Sequence, residues 1–442
     1  MSARGNIQDQ STAVGSCEVD SINIINHHGE VKDIHDLVTT ITLTESLYQP
    51  HVGLKLGVLD ESNFFEFFSL NGNEKIVLTI RQKSFGDNEV TIEMLFRVTN
   101  YPRYTRGKEG QSQFYIINAI TESAYHSELK NISRGFDGPL INEIRRIVEK
   151  DLSTPLRVYG DSTTRSSGVY GWMSPMNQAM EFTNALSSPD GSPFYLYHDI
   201  HDNLNLRSYE SIVNRTPYHT YYERVYREDG IGNNEVNEAE SAYTIQELKS
   251  FLGLDRVANA KHGAYASSNS FFDLSTRTIL RRKFDYNRNF QRNFQGFLTG
   301  RTNHQDNYSP LGDTKNFSDS PEMVQNNSLL NRHNFNGNQN LSELEFAVGA
   351  VMDSFTANLD TISHEMTVAG DLLLNPGQVI ELDLPKATDL ARLRSYYGDD
   401  VNLTDSVLSR KYMVTTSIHN IEMGSGNYQT VCKIVTDSIE TA

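Results

Sequence analysis

The sequence predicts a mainly β protein with α insertions, an α+β chain in which two antiparallel β modules enclose a small helical module and are themselves interrupted by an inserted segment. Three observations lead there. Apolar and polar residues alternate with period two through the first third of the chain, the same alternation returns in the last quarter, and helical spacing occurs between them. At 442 residues the chain is also too long for one ordinary domain.

In the first third, Val38 to Thr44 alternates Ile41 and Leu43 against threonines, and Val52, Leu54, Leu56 and Val58 share one face. Ile76 to Ile80 follows the turn Asn71-Gly72-Asn73. Val90, Ile92, Met94, Phe96 and Val98 then oppose Thr91, Glu93, Arg97 and Thr99, and Phe114, Ile116 and Ile120 complete the expected buried set. So many short strands need a barrel or sandwich, because an open sheet would leave its edges unpaired. Residues 18–125 are therefore expected to form the first β-barrel, after a flexible N-terminus, 1–17.

Residues 126–192 are expected to form the helical module. Leu140, Ile141, Ile144, Ile147 and Val148 recur at helical spacing after Asp137-Gly138-Pro139, where Asp137 or Gly138 can cap. A second helix from Ser174-Pro175 presents Met176, Ala179, Met180 and Leu186. Ser162 to Gly171 reads as a loop, and Ser188-Pro189-Asp190-Gly191 as a turn. Strands resume at Pro193 to Tyr197 and Leu204 to Leu206, a hairpin turning at His201-Asp202-Asn203. Segment 246–342 lacks clear periodicity and is expected to be an inserted module. A helix is expected over 342–365, with Leu344, Val348, Val351, Phe355, Leu359 and Ile362 as its stripe. The last strands alternate Ile380, Leu382 and Leu384, then Tyr412, Val414, Thr416 and Ile418, then Tyr428, Cys432 and Ile434, with a turn at Gly424 to Asn427. Residues 193–245 and 343–438 thus form a discontinuous second barrel. No strong sequence repeat links the two barrels, so duplication would be visible only in structure.

The net charge is −17, the wrong sign for gripping nucleic acid by its phosphates. No apolar run is long enough for a membrane anchor, and Met1 to Ser16 lacks the apolar core of a secretory signal, so synthesis in the cytosol is expected. Cys17 and Cys432 make neither a disulfide framework nor a zinc site and are expected to be free thiols. His198-Asp199-Ile200-His201-Asp202 has metal-binding residue types, but on a hairpin these residues suit a tight polar turn, and His27-His28 is no stronger. Arg277, Arg281, Arg282, Lys283, Arg288, Arg292 and Arg301 interleave with Phe284, Tyr286, Phe290, Phe294 and Phe297. That mixture can bind single-stranded nucleic acid, but in an acidic chain it fits a protein interface better. The phosphate-binding, dinucleotide, zinc-protease and serine-hydrolase motifs are absent. No catalytic, cofactor-binding or metal residue is assigned, no cofactor is expected, and the chain is expected not to be an enzyme.

Three segments resemble the central hub proteins of T-even-type contractile phage baseplates. They are Thr39 to Tyr48 continuing to Asn71-Gly72-Asn73-Glu74-Lys75-Ile76, then Ser192 to Tyr197 with the hairpin to Tyr209, and then Val368-Ala369-Gly370-Asp371 and Leu374-Asn375-Pro376-Gly377 with the hairpin from Tyr412 to Val435. Segment 246–342 departs from the family. The resemblance implies that the two barrels are tail-tube-like, and that three chains form a ring whose six barrels adapt a hexameric tail tube to a trimeric spike. It also implies a virion location in the tail baseplate. The implied partners are two further copies of the chain, the central spike protein, the tail tube or tube-initiator protein, the tape-measure protein and other baseplate proteins, with DNA passing through the channel without specific binding. A channel lined by acidic or small polar residues, with the Arg277 to Arg301 stretch outside, follows from that picture. Two alternatives stay open. One is a hub component of a tail-like secretion or injection machine, which would bring a C-terminal β-helix repeat. The other is a baseplate-associated cell-wall hydrolase, which would need a paired acid and base.

Overall fold

The computed structural model describes residues 15–83, 89–107, 112–189, 191–223, 242–252, 266–273, 278–285, 322–326, 359, 362–386, 405 and 408–436. Strands dominate, with short helices between them. Among the described residues no helix is long and apolar enough to cross a membrane.

Seven strands open the chain: β1 (Glu18–Ile25), β2 (Val31–Asp33), β3 (Val38–Ser46), β4 (Gly53–Asp60), β5 (Lys75–Lys83), β6 (Glu89–Arg106) and β7 (Gln113–Thr121). They pair antiparallel in the order β3-β4-β7-β6-β5-β1-β2. A turn at His35–Leu37 leads from β2 into β3 and brings the two ends of this path together. The inward faces (Ile22 and Ile24, Ile41 and Leu43, Leu54 to Val58, Ile76 to Ile80, Ile92 to Val98) fill one apolar core. The Asn71 to Glu74 turn is built round Glu74, fully buried. Its carboxylate accepts the Gly72 N–H at 2.9 Å and the Tyr101 hydroxyl at 2.7 Å, while Gly72 takes φ +95°, which a side chain would strain.

One strand faces the other way from the expectation. In β7 the buried residues are Tyr115, Ile117, Ala119 and Thr121, while Phe114, Ile116 and Ile120 are only half-buried. Both parities of this strand are apolar, so alternation cannot choose between them. Pairing with β4 does, setting Tyr115, Ile117 and Ala119 opposite Val58, Leu56 and Leu54.

The middle of the chain is helix and strand together. β8 (Ile132–Pro139) pairs with β10 (Arg165–Met173), and β9 (Leu156–Tyr159) lies between them in sequence. Ser162 to Gly171 is thus largely strand, not loop; its small residues leave β8 and β10 free to approach. Helix α1 (Leu140–Arg146) begins at Pro139, and neither Asp137 nor Gly138 caps it, because both are paired in β8. Helix α2 (Pro175–Asn184) packs Met176, Ala179 and Phe182 against Leu140, Ile144, Ile147 and Val148. The turn after it closes through Gly191 N–H to Ser188 C=O at 2.9 Å. The hairpin of β11 (Phe194–His198) and β12 (Leu204–Ser208) then pairs with β9, giving a three-stranded sheet whose Phe194, Leu196, Leu204 and Leu206 share the helices' core.

The remaining strands are β13 (Thr220–Glu223), β14 (Thr244–Ile245), β15 (Glu247–Leu252), β16 (Ala266–Asp273), β17 (Thr278–Asp285), β18 (Glu322–Asn326), β19 (Ile362–Ala369), β20 (Val379–Asp383), β21 (Lys411–Glu422) and β22 (Asn427–Thr436). Strands β16 to β18 form their own sheet within the expected insert. The others close on themselves: β13 pairs β20, β20 pairs β21, β21 pairs β22, β22 pairs β19 and β19 pairs β15. β15 continues from β14, which returns to β13. Ile362, Met366, Val368, Ile380, Leu382, Tyr412, Val414, Cys432 and Ile434 fill this second core. β15 lies in the stretch expected to be inserted, yet it pairs with β19.

Two expectations fail in this region. Ile362 to Glu365, read as the end of a helix, is the start of β19. His364, Met366 and Val368 continue Ile362 at period two, and strands on both sides satisfy the backbone. Residues 342–358 of that helix lie outside the described residues. The inward set of β21 also changes part-way. Tyr412 and Val414 are buried as expected, but a bulge at Thr415 flips the parity, so that Ser417, His419 and Ile421 point inward instead of Thr416 and Ile418.

Candidate assembly interface

The two barrels are joined by direct strand pairing. Beyond the Thr415 bulge, Thr416 to Glu422 of β21 leaves β20 and pairs antiparallel with Ser46 to Thr40 of β3. The bulge carbonyl accepts the Leu47 N–H at 2.8 Å, and Thr42 Oγ1 donates to Asn420 Oδ1 at 3.1 Å. A second tie is Gln82, at the end of β5. Its Nε2 donates to Gly370 C=O at 2.7 Å and its Oε1 accepts the Leu372 N–H at 2.8 Å, both in buried surroundings. Gly370 is required there, since a Cβ would stand 2.1 Å from the Tyr428 ring. Gly377 takes φ +76° and donates its N–H to Val414 C=O at 2.8 Å. The glycines of the Val368 to Gly377 motif thus hold the second barrel's loop against its neighbours.

Behind the joined strands lies a polar network. Glu45, fully buried on β3, accepts the Ile200 N–H at 3.0 Å and faces His419 Nε2 at 3.5 Å. His419 Nδ1 lies 2.9 Å from the Tyr428 hydroxyl and 3.3 Å from Thr430 Oγ1, which accepts the Asp371 N–H at 3.0 Å. Burial pushes Glu45 well above the ordinary carboxylate range, helped by the nearby Asp199 charge, and burial pulls His419 down to about 4. Burial thus disfavours the charged form of each group, and with it an ion pair. Discharging both avoids the cost of two buried charges and leaves hydrogen bonds that link β3, the β11–β12 turn, β21 and β22.

The barrels also repeat one plan. In chain order β1, β3, β4, β5, β6 and β7 correspond to β13, β14–β15, β19, β20, β21 and β22, and every neighbour pair along the first path except β1–β2 recurs in the second. The sense of pairing differs at one place: β1–β5 is antiparallel and β13–β20 parallel. Local irregularity repeats as well. β5 leaves β6 at Arg97, Val98 N–H donates to Glu74 C=O at 3.0 Å, and a bulge follows at Thr99. β20 leaves β21 at Met413, Val414 N–H donates to Gln378 C=O at 2.9 Å, and the bulge follows at Thr415.

The residues singled out from sequence lie away from this junction, with one exception. Asp199 organises the β11–β12 turn: Oδ1 accepts the N–H groups of His201 and Asn203, each at 3.0 Å, and Oδ2 accepts Asn205 Nδ2 at 2.8 Å. Asp202 takes φ +57° and its Oδ1 meets His198 Nε2 at 3.1 Å, so His198 to Asp202 is a turn whose Ile200 docks on Glu45. The His27 and His28 rings lie against each other, and Asn71 Nδ2 is 3.2 Å from His27 Nδ1. Among the described residues no group of three or more His, Cys, Asp or Glu side chains is arranged to hold a metal. Cys17 and Cys432 are both free thiols, and burial pushes each up to about 12, which suppresses their reactivity. In the basic stretch, Arg281 is exposed on β17, whereas Arg277 and residues 286–301 lie outside the described residues. Sequence reasoning missed Glu45, His419 and Gln82. Glu45 did leave a signal, a carboxylate at the inward parity set by Ile41 and Leu43. His419 left none, because the Thr415 bulge hides its parity.

No protein-family model and no curated protein matches this chain. Among solved structures, the tail protein from Neisseria meningitidis MC58 superposes with a TM-score of 0.50 at 11% identity, covering 95% of this chain and 97% of its own. The fold is similar to that of a tail protein. The 43 kDa tail protein of prophage MuSo2 from Shewanella oneidensis gives a TM-score of 0.49 at 10% identity, over 95% of this chain and all of its own. A type VI secretion component of E. coli, described as structurally similar to T4 bacteriophage tail proteins, gives 0.44 at 7% identity, over 96% of this chain and 79% of its own.

Proposed function

We propose that this chain is the structural hub at the centre of a contractile phage-tail baseplate, a non-enzymatic subunit that forms a trimeric ring between a hexameric tube and a trimeric spike. The observation that carries the proposal is the repeated barrel plan joined edge to edge by β3 and β21. Two equivalent barrels per chain offer six barrel positions when three chains close a ring, which matches a sixfold partner on one side and a threefold partner on the other. The tail-protein fold supports the same reading.

The work divides among four modules. Residues 18–125 form the first barrel, and 126–213 form a mixed helical module that includes the β11–β12 hairpin. Strands β13 to β15 with β19 to β22 form the second barrel, and β16 to β18 form a separate sheet in the insert. Tape-measure, spike, tube-initiator and surrounding baseplate proteins are the partners of this hub. The outward face of the joined strands is the surface offered to the channel. Thr42, Thr44, Thr416 and Asn420 are its half-buried centre, and Lys55 and Lys433 are exposed at its flanks. Three chains together carry a formal charge of −51, three times −17, which favours passage of DNA without retention.

Light scattering of the purified chain should give about 150 kDa, three copies of 50.0 kDa, and class averages should show a ring of six barrels around a bore. A stable monomer at micromolar concentration would overturn the proposal. Tight binding of duplex DNA by the free ring at physiological salt would overturn the account of the channel.

A further inference from the structure

Among the described residues, nothing neutralises one cation of the β11–β12 hairpin. Along β12, Leu204 and Leu206 face the helices' core, so alternation turns Asn205 and Arg207 to the opposite face. Asn205 is held by Asp199 of the turn. Arg207 is 8% exposed. Its Cζ lies 3.7 Å from the centre of the Tyr159 ring, which β9 sets beside it, and its Nε is buried without a hydrogen-bond partner.

A second guanidinium is close by. Arg215, just past the helical turn Tyr209–Val213, donates from Nη1 to Gly377 C=O at 2.8 Å. Gly377 packs on the Tyr197 hydroxyl, since a Cβ there would stand 2.7 Å from it. Burial pushes that hydroxyl up to about 12, against the pull of both Arg207 and Arg215, so it remains a donor at neutral pH. Burial lowers Arg215, and the Arg207 charge lowers it further. Among the described residues neither arginine is ion-paired with a carboxylate. Asp199 is felt at Tyr197, but its oxygens are taken by His201, Asn203 and Asn205. Two cations therefore face each other at a place withdrawn from water, where charges are ordinarily paired.

We propose that Arg207 and Arg215, with the Tyr197 hydroxyl, form a binding site for a phosphate dianion, which clamps the β11–β12 hairpin to the Gly377 loop of the second barrel. Charge selects the ligand. A carboxylate would neutralise one guanidinium, whereas a phosphate group carries about −1.5 to −2 at neutral pH. Guanidinium forks bond phosphate oxygens in pairs, and the Tyr197 O–H adds a further donor. Tyr159, 36% exposed, and half-buried Arg215 mark the side open to solvent. Inorganic phosphate and the monoester of a small metabolite both present this group. The site lies within one chain, so it is independent of the hub reading and of the number of chains.

The test is equilibrium dialysis of the full chain against radiolabelled inorganic phosphate, with chloride holding the ionic strength constant and glycerol phosphate as competitor. About one phosphate should bind per chain, with a dissociation constant below about 1 mM. Arg215→Gln and Arg207→Lys should each weaken binding by about tenfold or more with unchanged circular dichroism, the lysine keeping the charge but losing the fork. Should Arg207→Lys fail to fold, Arg215→Gln, at a half-buried position, decides alone. Displacement by glycerol phosphate supports a site open to monoesters, and resistance to it supports one that takes the free ion. No saturable binding up to about 10 mM phosphate would overturn the proposal. So would binding that Arg215→Gln leaves unchanged, as an adventitious ion elsewhere on the chain would show.

Discussion

Replacing Gln82 with alanine should loosen the joint between the barrels. The wild-type amide makes two hydrogen bonds at 2.7 and 2.8 Å to backbone groups of Gly370 and Leu372, and the residue is 8% exposed. Truncation leaves one carbonyl and one N–H buried without partners, at about 1–3 kcal/mol each. Freeing the ordered side chain returns about 1 kcal/mol, so the net loss should be about 1–5 kcal/mol. Gln82→Glu keeps the acceptor for Leu372 but turns an oxygen toward the Gly370 carbonyl, and should be no better than alanine. The local assay is amide exchange at Leu372, where a loss of 2 kcal/mol appears as roughly thirtyfold faster exchange through local opening. Chemical denaturation at one fixed chain concentration supplies the global value, since assembly contributes to apparent stability. Leu372 exchange within twofold of wild type would refute the idea that this amide ties the barrels together.

Glu45→Gln keeps an acceptor for Ile200 and a donor toward His419 without an ionisable group. Because burial raises the folded-state pKa of Glu45, its protonated form stabilises the fold fully below the unfolded carboxylate range, and that contribution is lost as pH rises through the folded value. Relative to the glutamine variant, the wild type should therefore weaken from about pH 5 upward, and a pH-independent difference in denaturation midpoint would refute this. His419 has the opposite sign: its folded value of about 4 means that stability present above the ordinary imidazole range is lost as pH falls through 4, so His419→Gln should flatten the acid limb of the stability profile. Asp199→Ala should cost about 2 kcal/mol in thermal unfolding by releasing the two turn N–H groups and Asn205, and a loss below about 0.5 kcal/mol would show that the backbone alone holds the turn. Treatment with EDTA should leave the melting temperature and assembly mass unchanged; metal retained through dialysis, with a lower melting temperature after its removal, would show that His198 to Asp202 binds an ion.

The amino-acid sequence by itself determined the class of fold and the position of most strands, because one-sided burial writes itself as period-two alternation. Ile41 and Leu43, Leu54 to Val58 and Ile92 to Val98 each show one apolar parity, and each lies inward in the structure. Where both parities are apolar, as in Phe114 to Ile120, the choice passed to the partner strand. Where a residue is inserted, as at Thr415, the pattern before and after belongs to different faces, and no local count detects the change. The junction was the least legible part. Its backbone pairing of β3 with β21 joins residues at least 370 positions apart in the chain, and backbone hydrogen bonds carry no residue signature. The repeat of the two barrels is likewise a repeat of strand order and bulge position, which unrelated side chains satisfy equally well. Only the tertiary structure could decide these, because pairing depends on which edges meet in space, while alternation records only which face is dry.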